Sequence, residues 1–67
     1  MEKVEYLWEK YNKYKETAEQ HEFARLFILD MKLIPAYNDL HTNYNQEHIE
    51  TFIRVMNKVL KSLGIAI

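Results

Sequence analysis

A single glycine, Gly64, and a single proline, Pro35, punctuate a chain of 67 residues. An all-β fold of this length needs turn residues every 8–12 positions or so, roughly three times what two breakers can supply. The sequence therefore predicts helices throughout, and apolar periodicity must set their limits.

Helix 1 is expected over about 2–19. At about 100° per residue, Val4, Leu7, Trp8, Tyr11, Tyr14 and Ala18 share an arc of about 120°. Lys15 intrudes on that arc and can snorkel out of it. Glu2 and Glu5 sit where the positive end of the helix dipole favours acids.

The next stretch, EFARLFILDMKLIPAY (22–37), is the most apolar in the chain. Between Phe23 and Ile34 only Arg25, Asp30 and Lys32 carry charge. Helix 2 is expected over about 21–34, where Pro35 disfavours helical geometry in the residue before it. Phe23, Phe27 and Ile34 occupy one side, Leu26, Leu29 and Leu33 a second, and Ala24, Ile28 and Met31 a third. A helix apolar on so many sides belongs against more than one neighbour. Glu22 falls in the middle of the helix 1 stripe, which argues for a break or kink near 18–22. Pro35 can open a further short turn of helix through Leu40.

The segment HTNYNQ (41–46) reads as a turn, and Asn43 followed by Gln46 resembles a capping box. Helix 3 is expected over about 45–63. Ile49, Phe52, Ile53, Met56, Val59, Leu60 and Leu63 form its stripe, and Gly64 stands where a left-handed cap belongs. The fold class expected is all-α: a small three-helix bundle-like domain with helix 2 central and helices 1 and 3 covering two of its sides. The third side, around Ile28 and Met31, is left open. The Pro35–Tyr44 segment and the Ile65-Ala66-Ile67 tail are the two candidates for a lid over it.

Size sharpens the question of cover. A domain this short buries only about 60% of its unfolded surface. Small scaffolds offset that with disulfides, metals, oligomers or dense helix packing. The chain has no cysteine, which leaves dense packing and self-association. A homodimer through the open side of helix 2 is the expected state.

Charge narrows the partners. A net charge of −1 gives no large field for nucleic acid or anionic membrane. The longest apolar run is too short and too charged to span a bilayer, and MEKVEYLWEK lacks the apolar core of a signal peptide, so a cytoplasmic protein is expected. Asn, Lys, Ile, Tyr and Phe supply 26 residues against eight for Gly, Ala, Arg and Pro. That bias toward AT-rich codons suggests a low-GC bacterium or its phage.

No catalytic, cofactor or metal residue is assigned. A nucleophile needs a base beside it, and Ser62, the only serine, reads as filler near the end of helix 3. His41, His48, Asp39 and Glu47 gather near the turn into helix 3. They lack the i, i+3 or i+4 spacing of helical metal pairs. Arg54, Lys58 and Lys61 share a face of helix 3 and could contact phosphates or an acidic partner. Glu47 and Glu50 precede them on that face, so the stripe also reads as dipole complementation with an i, i+4 pair.

The residues expected to meet a protein partner are Tyr6, Ile28, Met31, Tyr37 and Tyr44, because tyrosines outside the core and uncovered apolar side chains mark interfaces. Function is expected to be non-enzymatic: a bacterial or phage regulator or inhibitor that occludes a protein target. A small nucleic-acid-binding regulator and a structural subunit of a larger assembly are the alternatives.

Overall fold

A computed structural model describes residues 2–66. It contains three helices: α1 (Glu2–Thr17), α2 (Phe23–Thr42) and α3 (Gln46–Ser62). A 3-10 turn over Gln20–Glu22 precedes α2. The fold is a small all-α three-helix bundle, and no strand occurs among the described residues. Among those residues, no helix is long and apolar enough to cross a membrane.

The α1 helix ends two residues earlier than expected. The Thr17 hydroxyl lies 3.3 Å from the Lys13 carbonyl and 3.2 Å from that of Tyr14, and donation to these carbonyls closes the last turn on itself. Glu19 is extended, and the chain turns back through Gln20–Glu22 into α2. Antiparallel packing follows. Lys15 near the end of α1 meets Asp30 at 3.0 Å, and Trp8 nearer its start stacks on Tyr37 at 4.5 Å. The α3 helix then runs back antiparallel to α2, with Phe52 beside Tyr37, and so parallel to α1.

The core is the meeting of three stripes. Val4, Leu7 and Tyr11 come from α1, Leu26, Leu33 and Leu40 from α2, and Ile49, Phe52, Met56 and Leu60 from α3. These are the stripes expected on α1 and α3, with Trp8, Tyr14, Ala18, Ile53, Val59 and Leu63 half-buried at their edges.

Two expectations about α2 need correction. The helix does not stop at Ile34. It runs through Pro35 to Thr42, 20 residues in all. Pro35 removes one backbone bond, the one to the Met31 carbonyl, and a mid-helix proline costs about 3 kcal/mol. Continuing the helix carries Leu40 into full burial and Tyr37 onto Trp8. Those gains are of the same size, about 1.5–3 kcal/mol for the leucine and up to about 1.5 for the stacked rings. The second correction concerns cover. The α2 helix meets both neighbours, but through one stripe rather than on two sides. Phe23, Phe27, Ile28, Met31 and Ile34 are all exposed. The reason is that α1 and α3 pack most extensively on each other, so α2 lies in the groove they form and shows them one face.

The helix ends are set locally. Asn45, not Asn43, caps α3: its side-chain oxygen accepts from the Glu47 N–H at 2.8 Å. With His48 three residues on, no capping box forms. At the other end Gly64 is left-handed, with φ of 78°. The Ile65 N–H donates to the Leu60 carbonyl and the Gly64 N–H to that of Lys61, each at 3.0 Å, the Schellman arrangement. Ile65 then packs on the core, and Lys10 donates to the Ala66 carbonyl at 2.8 Å. The tail therefore lies along α1, not over α2, and the 35–42 segment is helix rather than lid. Ile67 lies outside the described residues.

Candidate protein-binding face

Two apolar seams run along α2. The inner one is Leu26, Leu29, Leu33, Ala36 and Leu40, and the outer one is Ala24, Phe27, Met31 and Ile34, ended by the polar Asn38. Each has the alternating 3, 4, 3, 4 spacing that keeps a row of side chains facing one neighbouring helix. At about 100° per residue the two rows point about 160° apart. Leu26, Leu33 and Leu40 of the inner row are buried in the core with Leu29 at its edge, while Ala36 is exposed beside the groove between α2 and α3. The outer row, flanked by Phe23 and Ile28, faces away from it. Exposure runs from 41% at Ile34 to 66% at Phe27 and Met31. Arg25 and Lys32 occupy the remaining polar strip, and both are exposed.

The inner seam is anchored at one polar point. The Tyr11 hydroxyl, on a fully buried ring, donates to Asp30 Oδ1 at 2.6 Å, with the Leu26 carbonyl at 3.3 Å. Lys15 holds the other Asp30 oxygen at 3.0 Å. Burial, then the hydrogen bond to Asp30 and the charge of Asp30, pushes the Tyr11 phenol well above its ordinary value. This clamp adds one fixed polar contact to the packing of Leu26, Leu33 and Leu40, with the outer row pointing away from the core.

The expected partner-binding residues divide. Ile28 and Met31 lie on the outer face, as their place in the sequence suggested. Tyr37 does not. It is half-buried, stacked on Trp8, edge-on to His41 at 4.7 Å and beside Phe52, so its ring is part of the packing. Tyr6 is on the outer side of α1 with the Lys10 ammonium 5.5 Å from its ring centre. Tyr44 is exposed in the turn before α3. Sequence reasoning gave Phe23, Phe27 and Ile34 to a covering helix and so missed them. The 3, 4 spacing of Ala24, Phe27, Met31 and Ile34 groups them on one face, but carries no signal that the face is left uncovered.

Elsewhere the chemistry is local. Arg54, Lys58 and Lys61 do share a face of α3, and Lys3 of α1 joins them around a shallow depression with Glu50. Arg54 also donates to the Thr51 hydroxyl at 3.4 Å. His48 Nδ1 lies 3.4 Å from Asp39, and the Ser62 hydroxyl donates to the Val59 carbonyl at 2.7 Å. An apolar groove of about 360 Å³ lies between α2 and α3, floored by Leu33, Leu40 and Phe52. No family model, curated protein or solved structure matches the chain.

Proposed function

We propose that the chain is a small non-enzymatic interaction protein, a cytoplasmic regulator or inhibitor of bacterial or phage origin, that acts by occluding a surface of a protein target. One observation carries this reading: the outer face of α2, where five large apolar side chains, Phe23, Phe27, Ile28, Met31 and Ile34, are exposed together on one helix. Exposed apolar strips of this kind mark binding surfaces on small proteins, and an amphipathic helix face is a recurrent way of filling a partner's groove. The target is then recognised chiefly by apolar contact, with Arg25 and Lys32 on the rim.

The test is affinity capture from host lysate with three baits: wild type, Met31→Glu, and Lys58→Glu. A target held by wild type and by Lys58→Glu and lost with Met31→Glu supports the reading. Equal capture by all three contradicts it.

A second reading has an observation of its own. Lys3 extends the basic stripe of Arg54, Lys58 and Lys61 across two helices, which favours a phosphate-bearing partner such as nucleic acid. Binding to nonspecific duplex DNA that weakens steeply with salt, and collapses on charge reversal at these four positions, would place that reading first.

A further inference from the structure

We infer that in the free state the outer face of α2 is covered by the same face of a second copy, with the two α2 helices antiparallel. This rests on the reading of that face as an interface and names its first occupant. The target and the second copy then compete for one surface, and the pair is the stored form of the protein.

The area is sufficient. Five side chains of about 200 Å² each, exposed to the extent described, present roughly 500 Å² per copy. The pair then buries about 1,000 Å² from these residues alone, near the lower bound for a specific interface, and flanking side chains add to it. Net charge does not oppose it, since −1 per chain gives little long-range repulsion, and Arg25 and Lys32, which approach their counterparts on one rim, are exposed and screened by solvent and salt.

The sequence of the face complements itself in one direction. In an antiparallel pair centred beside Leu29, Phe27 of each copy lies opposite Met31 of the other, and Ala24 opposite Ile34. Small residues then face large ones, and each thioether meets an aromatic ring, a favourable contact. Ile28 of each copy lies near Ile28 of the other, close to the twofold axis. A parallel pair instead sets Ala24 against Ala24 and Phe27 against Phe27, leaving a gap at one layer and crowding at the next. An isologous twofold contact also closes on itself and leaves no further apolar strip to propagate.

Single cysteines give a clean readout, because the native chain has none. Ile28→Cys, Phe23→Cys and Tyr6→Cys are treated with a short bismaleimide. All three replaced side chains are exposed, so each variant is expected to fold, and circular dichroism checks this. The antiparallel pair predicts rapid self-cross-linking at position 28, at least tenfold faster than at position 6. It predicts little at position 23, whose two copies lie about 18 Å apart along the axis at about 1.5 Å per residue. Fast cross-linking at 23 with none at 28 overturns the antiparallel arrangement. Sedimentation equilibrium from about 1 to 500 micromolar accompanies it, a range that brackets a micromolar dissociation constant. A wild-type dimer whose dissociation constant rises at least tenfold in Met31→Glu is the result expected. A strict monomer overturns the self-pairing while leaving target capture as the separate test of the face. A dimer indifferent to Met31→Glu overturns the self-pairing as well, by placing the contact elsewhere.

Discussion

Replacing Tyr11 by Phe removes one hydroxyl and little volume, and it probes the clamp between α1 and α2. The hydroxyl donates to a carboxylate oxygen at 2.6 Å from a fully buried ring. A hydrogen bond to a charged group contributes about 1.5–3 kcal/mol. Asp30 keeps about a quarter of its side chain in water and keeps Lys15 as well, so solvent can replace part of what is lost. The expected cost is therefore at the lower end, about 1.5–2 kcal/mol. Lys15→Met removes the other partner. That ion pair is partly exposed at both ends, and such pairs contribute about 0–1 kcal/mol. The order is thus Tyr11→Phe worse than Lys15→Met, in a domain whose whole stability is about 3–10 kcal/mol. Urea unfolding followed at 222 nm, at low protein concentration and neutral pH, measures both.

The pH dependence carries the same signature. The folded phenol titrates above the ordinary value of about 10. Above that pH the unfolded chain loses the Tyr11 proton first and binds fewer protons than the native state. Stability is then full below about pH 10 and falls as pH rises beyond it. Tyr11→Phe removes this contribution to the alkaline slope. A Phe variant within about 0.5 kcal/mol of wild type, the usual range of neutral substitutions, would refute the clamp. So would a Lys15→Met variant that costs more than it does.

Four further substitutions test the fold element by element. Leu33→Ala on the inner seam should destabilise by about 2–5 kcal/mol, whereas Phe27→Ala on the outer seam should stay within about 1 kcal/mol of wild type in dilute solution; thermal unfolding of both checks the assignment of faces. Pro35→Ala restores a backbone bond to the Met31 carbonyl and should stabilise by about 1–2 kcal/mol after the added freedom of the unfolded chain is subtracted, visible as a higher melting temperature. Gly64→Ala meets nothing within 4 Å and yet must hold a positive φ, so it should cost about 1–2 kcal/mol by urea titration through backbone strain alone.

Much of this architecture was legible in the sequence because the clues were local. The scarcity of breakers fixed the class. The stripes of α1 and α3 are interrupted cleanly enough to assign their faces, and Gly64 marked its cap by being the only glycine. Glu22 in an otherwise apolar arc signalled the turn. The misreadings arose where tertiary packing overrode a local rule. Pro35 is a helix breaker by its own chemistry, and the burial of Leu40 and the stacking of Tyr37 on Trp8 offset the cost of carrying the helix through it. Tyr37 looked surplus to the core because its helix was expected to end before it. The number of sides of α2 that its neighbours cover depends on how closely α1 and α3 approach each other, and no periodicity on α2 encodes that. Lys3 joined the basic stripe of α3 for the same reason: the parallel pairing of α1 with α3 is a property of the bundle.

The proposed role of the outer face of α2 as an interface stands against one alternative, an incompletely buried core. Unfolding midpoints measured across protein concentration, for wild type and Met31→Glu, test it most directly. If the face is an interface, the wild-type midpoint rises with concentration, the variant's midpoint stays level, and the two coincide at the dilute end. A midpoint independent of concentration in both proteins, with the variant lower throughout, would contradict it by showing that Met31 serves the fold of a single chain.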